Sequence, residues 1–247
     1  MSNVSVYITG DKHGSFSRML NKLNKNISRG SVIVILGDVG LNYYGNEIDI
    51  GSKQQLNESG YTFICLRGNH EARPTGTDKY ITNDKFGGTF IVEEEYPNIL
   101  YMKDGYDYRF TVNGKRRKVI AIGGAYSVDK HFRIVLNKAG YSEYKWFEDE
   151  QLNESERERI INKLSDYSIY DYVFSHTCPY ELEPRDMFLS GLDQSTVDNT
   201  MEYFLQDVAN MSTFETWYCG HWHTDRTVNQ NDCRYRFMYD DIIELGE

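Results

Sequence analysis

No run of about 18 apolar residues occurs in this sequence, so no membrane-spanning helix is expected. The first residues, MSNVSVYITGDKHG, lack a basic segment followed by an apolar one, so no secretory signal is expected either. The four cysteines, Cys65, Cys178, Cys219 and Cys233, include no C-x-x-C pair, and free thiols in a reducing cytoplasm are expected. Repeats, low-complexity tracts and linkers are missing. The 247 residues, 40% of them hydrophobic, can bury one sizeable core, and one domain spanning residues 1–247 is expected. Basic charge is also short. There are 27 Lys and Arg against 37 Asp and Glu, a net charge of −10. That field repels polyanions and argues against general nucleic-acid binding. The basic run Lys115-Arg116-Arg117-Lys118 follows Asn113-Gly114 and reads as a solvated hairpin flank.

Short apolar runs are plentiful. Val4 to Thr9, Val32 to Leu36, Thr62 to Leu66, Lys118 to Ile122, Tyr172 to Ser175 and Thr216 to Cys219 read as strands. Phe16, Met19, Leu20, Leu23 and Ile27 have helical spacing, which makes the start of the chain a βα unit with parallel pairing. Further helices are expected from Asn153, as cap, to Tyr167, and from about Ser195 to Ala209. Thr89 to Thr111 reads as antiparallel strands with turns at Pro97-Asn98 and Asp104-Gly105.

The strands end in polar residues. Gly10-Asp11-Lys12-His13 follows the first strand, Gly37-Asp38 the second and Gly68-Asn69-His70-Glu71 the third. His176 follows the fifth, and Gly220-His221-Trp222-His223 the sixth. Five of the strand ends thus carry polar groups, and of the six histidines His131 alone stands apart from them. Ligands of open α/β sheets gather outside the carboxyl ends of strands, so these distant groups can converge.

Asp11, His13, Asp38, Asn69, His176, His221 and His223 offer oxygen and imidazole donors and no thiolate. That mix suits manganese, iron, zinc, cobalt or nickel better than a cysteine-rich structural zinc site, and of these manganese is the expected ion. Seven donors are too many for one reactive ion and suit two ions sharing a carboxylate, which acidify a bridging water. Two divalent ions, two aspartates and one hydroxide sum to about +1, a centre that attracts phosphate within an acidic protein.

The blocks Asp-x-His, Gly-Asp, Gly-Asn-His, a lone His and Gly-His-x-His, in this order from Asp11 to His223, resemble those of the calcineurin-like metallophosphoesterases. The resemblance implies an α/β fold, a four-layer αββα sandwich of two mixed sheets with a dimetal site at the strand carboxyl ends. It implies hydrolysis of a phosphomonoester or phosphodiester by metal-activated hydroxide. Asp11, His13, Asp38 and His223 would hold one ion, and Asp38, Asn69, His176 and His221 the other. His70 would be the catalytic non-ligand histidine. The LRGNHE block also resembles the serine/threonine phosphoprotein phosphatases, in which the arginine matching Arg67 clasps phosphate. Their Asp-Arg-Gly block departs here, because Asp38 is followed by Val39-Gly40-Leu41-Asn42. Leu41 stands where a carboxylate would orient His70, and Glu71 is one other partner for it. Gly123 to Arg133 resembles metallophosphoesterases of Gram-positive bacteria and their phages, which implies a bacterial or infected-host cytoplasm. There Lys130 and Arg133 are candidate contacts to a phosphorylated small-molecule or nucleotide substrate. A protein phosphatase and a non-catalytic scaffold on the same fold are the alternatives.

Overall fold

A strand covered on both faces needs apolar residues at consecutive positions, and the early strands have them. A computed structural model describes residues 4–75, 78–164, 168–188, 191 and 194–247. β1 (Val6–Thr9), α1 (Ser17–Asn26), β2 (Val32–Ile35), α2 (Glu47–Asn57) and β3 (Thr62–Cys65) are consecutive βα units with parallel strands. β4 (Tyr80–Lys85) and β5 (Gly88–Glu93) form a hairpin, and β6 (Ile99–Tyr101) returns beside β3. The chain then leaves this sheet. β7 (Tyr106–Val112) and β8 (Lys115–Ile122) open a second one, followed by α3 (Lys130–Lys138) and α4 (Glu154–Leu164). β9 (Ser168–Ile169), β10 (Tyr172–Ser175), α5 (Thr200–Met211), β11 (Ser212–Thr213) and β12 (Thr216–Cys219) come next. The last elements are β13 (Arg226–Gln230), β14 (Cys233–Phe237) and β15 (Ile243–Glu244).

The sheets run β15-β1-β2-β3-β6-β5-β4 and β13-β14-β12-β10-β8-β7, and β9 and β11 form a small third pair. Alternation along each strand builds the layers. Val32, Val34 and Ile64 of the first sheet meet Phe110, Val119 and Phe174 of the second in the central core. Ile33, Ile35 and Phe63 point the other way, onto Met19 and Leu23 of α1 and Leu56 of α2. Ile120, Val173 and Trp217 face Ile160 of α4 and Leu205 of α5. The fold is the four-layer αββα sandwich of two mixed sheets.

Several elements differ from their sequence-based expectations. Thr89 to Thr111 is not one antiparallel set, because Asp104-Gly105 lies on the crossover between sheets rather than in a hairpin. Asn153 does cap α4: Asn153 Oδ1 accepts the Glu156 amide (3.0 Å), and Glu156 Oε2 accepts the Asn153 amide (2.9 Å). The expected end of that helix, residues 165–167, lies outside the described residues. α5 begins at Thr200, whose amide donates to Asp198 Oδ1 (3.0 Å), and not near Ser195. The basic run flanks a hairpin as expected, with Arg117 paired to Asp171 and Glu215 and Lys118 to Asp107. Among the described residues no helix is long and apolar enough to cross a membrane.

One side chain joins the core to the strand ends. Trp217 is fully buried, and its indole Nε1 donates to Ser175 Oγ (2.6 Å). Ser175 Oγ donates in turn to Thr177 O (2.5 Å), so this link brackets His176. Trp217→Ala is expected to cost about 3–5 kcal/mol of stability, read from urea unfolding. Trp217→Phe, which keeps most of the packing, is expected to cost less than half as much.

Candidate metal centre

The carboxyl ends of β1, β2, β3, β10 and β12 meet at one edge of the sandwich. Single donor atoms of Asp11, His13 and His223 lie within 4.8 Å of one another, as do those of Asp11, Asp38 and His176. His13 Nε2 and His223 Nε2 are 3.0 Å apart. Asn69 Oδ1 is 2.8 Å from His176 Nε2, and the His221 ring is 5.1 Å from that of His176. All seven residues singled out as donors therefore lie in one cluster. Asp11, Asp38, Asn69 and His176 are its buried floor, and the half-exposed His13 and His223 are its rim.

The backbone is bent to make this cluster. Asp11 (φ 21°), His13 (46°), Asp38 (47°), His221 (67°) and His223 (47°) all lie at positive φ. The other non-glycine residues with positive φ among those described are Phe86, Asn113, Asn231 and Asp232, all at hairpin tips. Each such residue costs of order 1–3 kcal/mol, and strain gathered in this way points to a functional site. Two glycines allow the close approach. A Cβ on Gly68 would fall 2.0 Å from Asp38 Oδ1, and one on Gly37 would fall 2.1 Å from His176 Nδ1.

The electrostatics call for added positive charge. Burial pushes the Asp11 carboxyl up to about 8, and the charge of Asp38 adds to this while His176 opposes it. Asp38 is equally buried, yet His176 beside it holds its carboxyl below the usual range. At under 4.8 Å, two carboxylates repel by roughly 3–4 kcal/mol at an effective dielectric of 20. Burial acts to lower His176, but Asp38 and then Asp11 outweigh it and raise the ring to about 9. His176 Nδ1 faces Leu36 O (2.7 Å) and Nε2 faces Asn69 Oδ1, so both nitrogens point at oxygens. Buried carboxylates, facing imidazoles and an amide oxygen form a donor set that fits divalent cations.

The sequence matches the profile of the calcineurin-like phosphoesterases over residues 4–225. The chain belongs to that family. As a member it is a phosphoric ester hydrolase that uses divalent metal ions. Its fold is similar to that of phosphopantetheinyl hydrolase from Mycobacterium tuberculosis, with 13% identity and a TM-score of 0.51, covering 97% of this chain and 91% of that one. It is also similar to the protein TT1561 of Thermus thermophilus, with 10% identity and a TM-score of 0.50, covering 96% and 89%. No curated protein sequence matches this chain significantly.

Around the phosphoesterase centre the expected substrate contacts part ways. Arg67 was expected at phosphate, but its surroundings favour another role. It is 6% exposed and donates to Asp104 Oδ2 (3.1 Å), Asp149 O (3.2 Å), Glu150 O (2.7 Å) and Gly123 O (3.2 Å). Lys130 lies over the Trp146 ring, 4.3 Å from its centre. Arg133 lies close enough to the centre for its charge to help lower His13 and His70, after burial, and Lys12 acts likewise on His13 and His223. Asp129 Oδ2 (2.7 Å) and Tyr43 Oη (3.0 Å) hold Arg133. The His70 ring lies 5.6 Å from that of His13, and the His70 amide donates to Asp38 Oδ1 (2.9 Å). Burial lowers its imidazole to about 4, against the pull of Asp38. Glu71 Oε1 accepts the Gly68 amide (2.9 Å) and so braces its own turn. Leu41 is in the core and Asn42 Oδ1 accepts from Tyr80 Oη, so neither replaces the missing Asp-Arg pair.

Sequence reasoning missed Tyr239, whose ring stacks on His223 at 4.7 Å, and Tyr43, Ser127 and Glu150. Ser127 lies within the Gly123 to Arg133 block, which is the signal that marks it.

Gly68→Ala is expected to cost about 1–3 kcal/mol by overpacking against Asp38. Gly51→Ala, in an open position on α2, is expected to gain roughly 0.5–1 kcal/mol. Paired thermal melts check the contrast.

Proposed function

We propose that this phosphoesterase hydrolyses a small phosphorylated molecule, a phosphomonoester or phosphodiester, with manganese as its ion. Asp11, His13, Asp38 and His223 would hold one ion, and Asp38, Asn69, His176 and His221 the other. The observation that carries this reading is the gathering of strained, positive-φ Asp and His residues around one buried acidic floor. Oxygen and imidazole donors without thiolate are compatible with manganese and argue against a structural zinc site. When bound, the ions supply Lewis acidity that activates water and offsets phosphoryl charge.

The protein's own residues do the rest. Arg133, held by Asp129 and Tyr43, would bind the phosphoryl oxygens in place of Arg67. His70 would meet the leaving oxygen. The half-exposed rim admits a substrate from solvent, and the net charge of −10 favours small anions over polyanions. Four free cysteines, three of them buried, support a cytoplasmic setting. The inter-sheet core shared by both sheets supports one domain over residues 1–247.

Nitrophenyl phosphate and bis(nitrophenyl) phosphate, assayed with added Mn²⁺, test the reading. Activity should vanish after chelation and dialysis and return with metal. Full activity in excess chelator would contradict it. Asp38→Asn should weaken the binding of both ions. His70→Ala should keep metal and lose roughly 10²–10⁴-fold in rate on esters with poor leaving groups, and less on nitrophenyl esters. Arg133→Ala should lower kcat/KM on both test esters at least tenfold, whereas Lys130→Ala should leave them within about twofold.

A further inference from the structure

An asparagine side chain can hold a cation only through its oxygen. Its oxygen and nitrogen ends are nearly the same shape, so the surroundings must choose which one faces the site. Asn69 Nδ2 donates to Ser127 Oγ (2.8 Å), and Ser127 Oγ donates to Glu150 Oε2 (2.6 Å). The Ser127 amide donates to Glu150 Oε1 (3.2 Å). Asn69 is 1% exposed, and Ser127 and Glu150 are each 2% exposed, so water does not compete.

The direction of these bonds follows from chemistry. An ionised carboxylate only accepts hydrogen bonds. The one hydroxyl proton of Ser127 is therefore committed to Glu150. Its lone pairs face Asn69 and can accept only from the NH₂ end. Asn69 Oδ1 is left pointing at His176 Nε2. Arg67 fixes the frame, because it binds the carbonyls of Gly123 and Glu150 on the two segments that carry the pair.

We propose that Ser127 and Glu150 form a one-way hydrogen-bond relay that keeps the oxygen of Asn69, not its nitrogen, aimed at the metal centre. Both are positioning residues that act through Asn69. The proposal rests on the reading of Asn69 as a metal-holding residue.

The test is Mn²⁺ affinity of metal-stripped protein, measured by the paramagnetic resonance signal of the free ion. Glu150→Gln should weaken one of the two ions by roughly 10–100-fold. The oxygen of the new amide takes the Ser127 N–H, and its NH₂ then donates to Ser127 Oγ. The hydroxyl proton turns to Asn69 and inverts it. Asn69→Asp presents an oxygen either way round and accepts the reversed bond, so in that background Glu150→Gln should cost less than about twofold. In a Ser127→Ala background, where the relay is already cut, Glu150→Gln should also add less than about twofold. If Glu150→Gln keeps its full penalty in either background, Glu150 acts as packing and the relay is overturned. Asn69→Ala tests the underlying reading separately. Wild-type affinity for both ions in that variant would remove Asn69 from the metal centre. Loss of one ion there, with wild-type affinity in Glu150→Gln, would keep Asn69 as a ligand and overturn the relay alone. Circular dichroism of each variant identifies any loss that is merely unfolding.

Discussion

Two buried aspartates at the end of a sandwich set the terms for everything around them. Asp11 and Asp38 sit beyond the reach of water, close enough to repel, with His176 as their main protein counter-charge. Such a pair is costly unless positive charge is brought to it. The positive-φ turns, the glycines at van der Waals limits and the facing imidazoles all serve one end, which is to hold donors close around that negative floor. The rest of the fold supplies the rigidity. Each strand that delivers a donor is packed on both faces, so the strained turns cannot relax by moving the sheets.

The same constraint explains the place of Arg67. A guanidinium beside a metal-binding turn invites a role at phosphate. Here its fork is filled by a carboxylate and three carbonyls from distant segments. It ties the crossover at Asp104, the end of β8 and the approach to α4 into one frame behind Asn69. Arg133, by contrast, sits on a short helix and is held by Asp129 and Tyr43.

The strands and the donor cluster were legible because both are written in residue type. Val32 to Leu36 can only be buried, and a glycine followed by Asp38 can only turn and present a carboxylate. The fate of Arg67 was not legible, since a cation chooses among partners that lie 37 to 83 residues away in the chain. The polar hairpin strands β4 and β13 carry little hydrophobic alternation and are set by their turns at Phe86-Gly87 and Asn231-Asp232, whereas β14 alternates and buries Tyr235 and Phe237. α3 carries Phe132, Val135 and Leu136 at helical spacing, but it buries no residue, so its apolar stripe does not mark a core-facing helix.

That last property has a consequence for how such an enzyme changes over time. α3 carries Arg133 to the rim, yet it contributes nothing to any of the three apolar cores. Polar bonds hold the segment, from Arg133 to Asp129 and Tyr43, and from Lys145 to the Tyr44 carbonyl. Sequence drift there leaves the sandwich and its acidic floor untouched. Positions of this surface helix other than Arg133 are therefore free to change without the folding of the domain registering it.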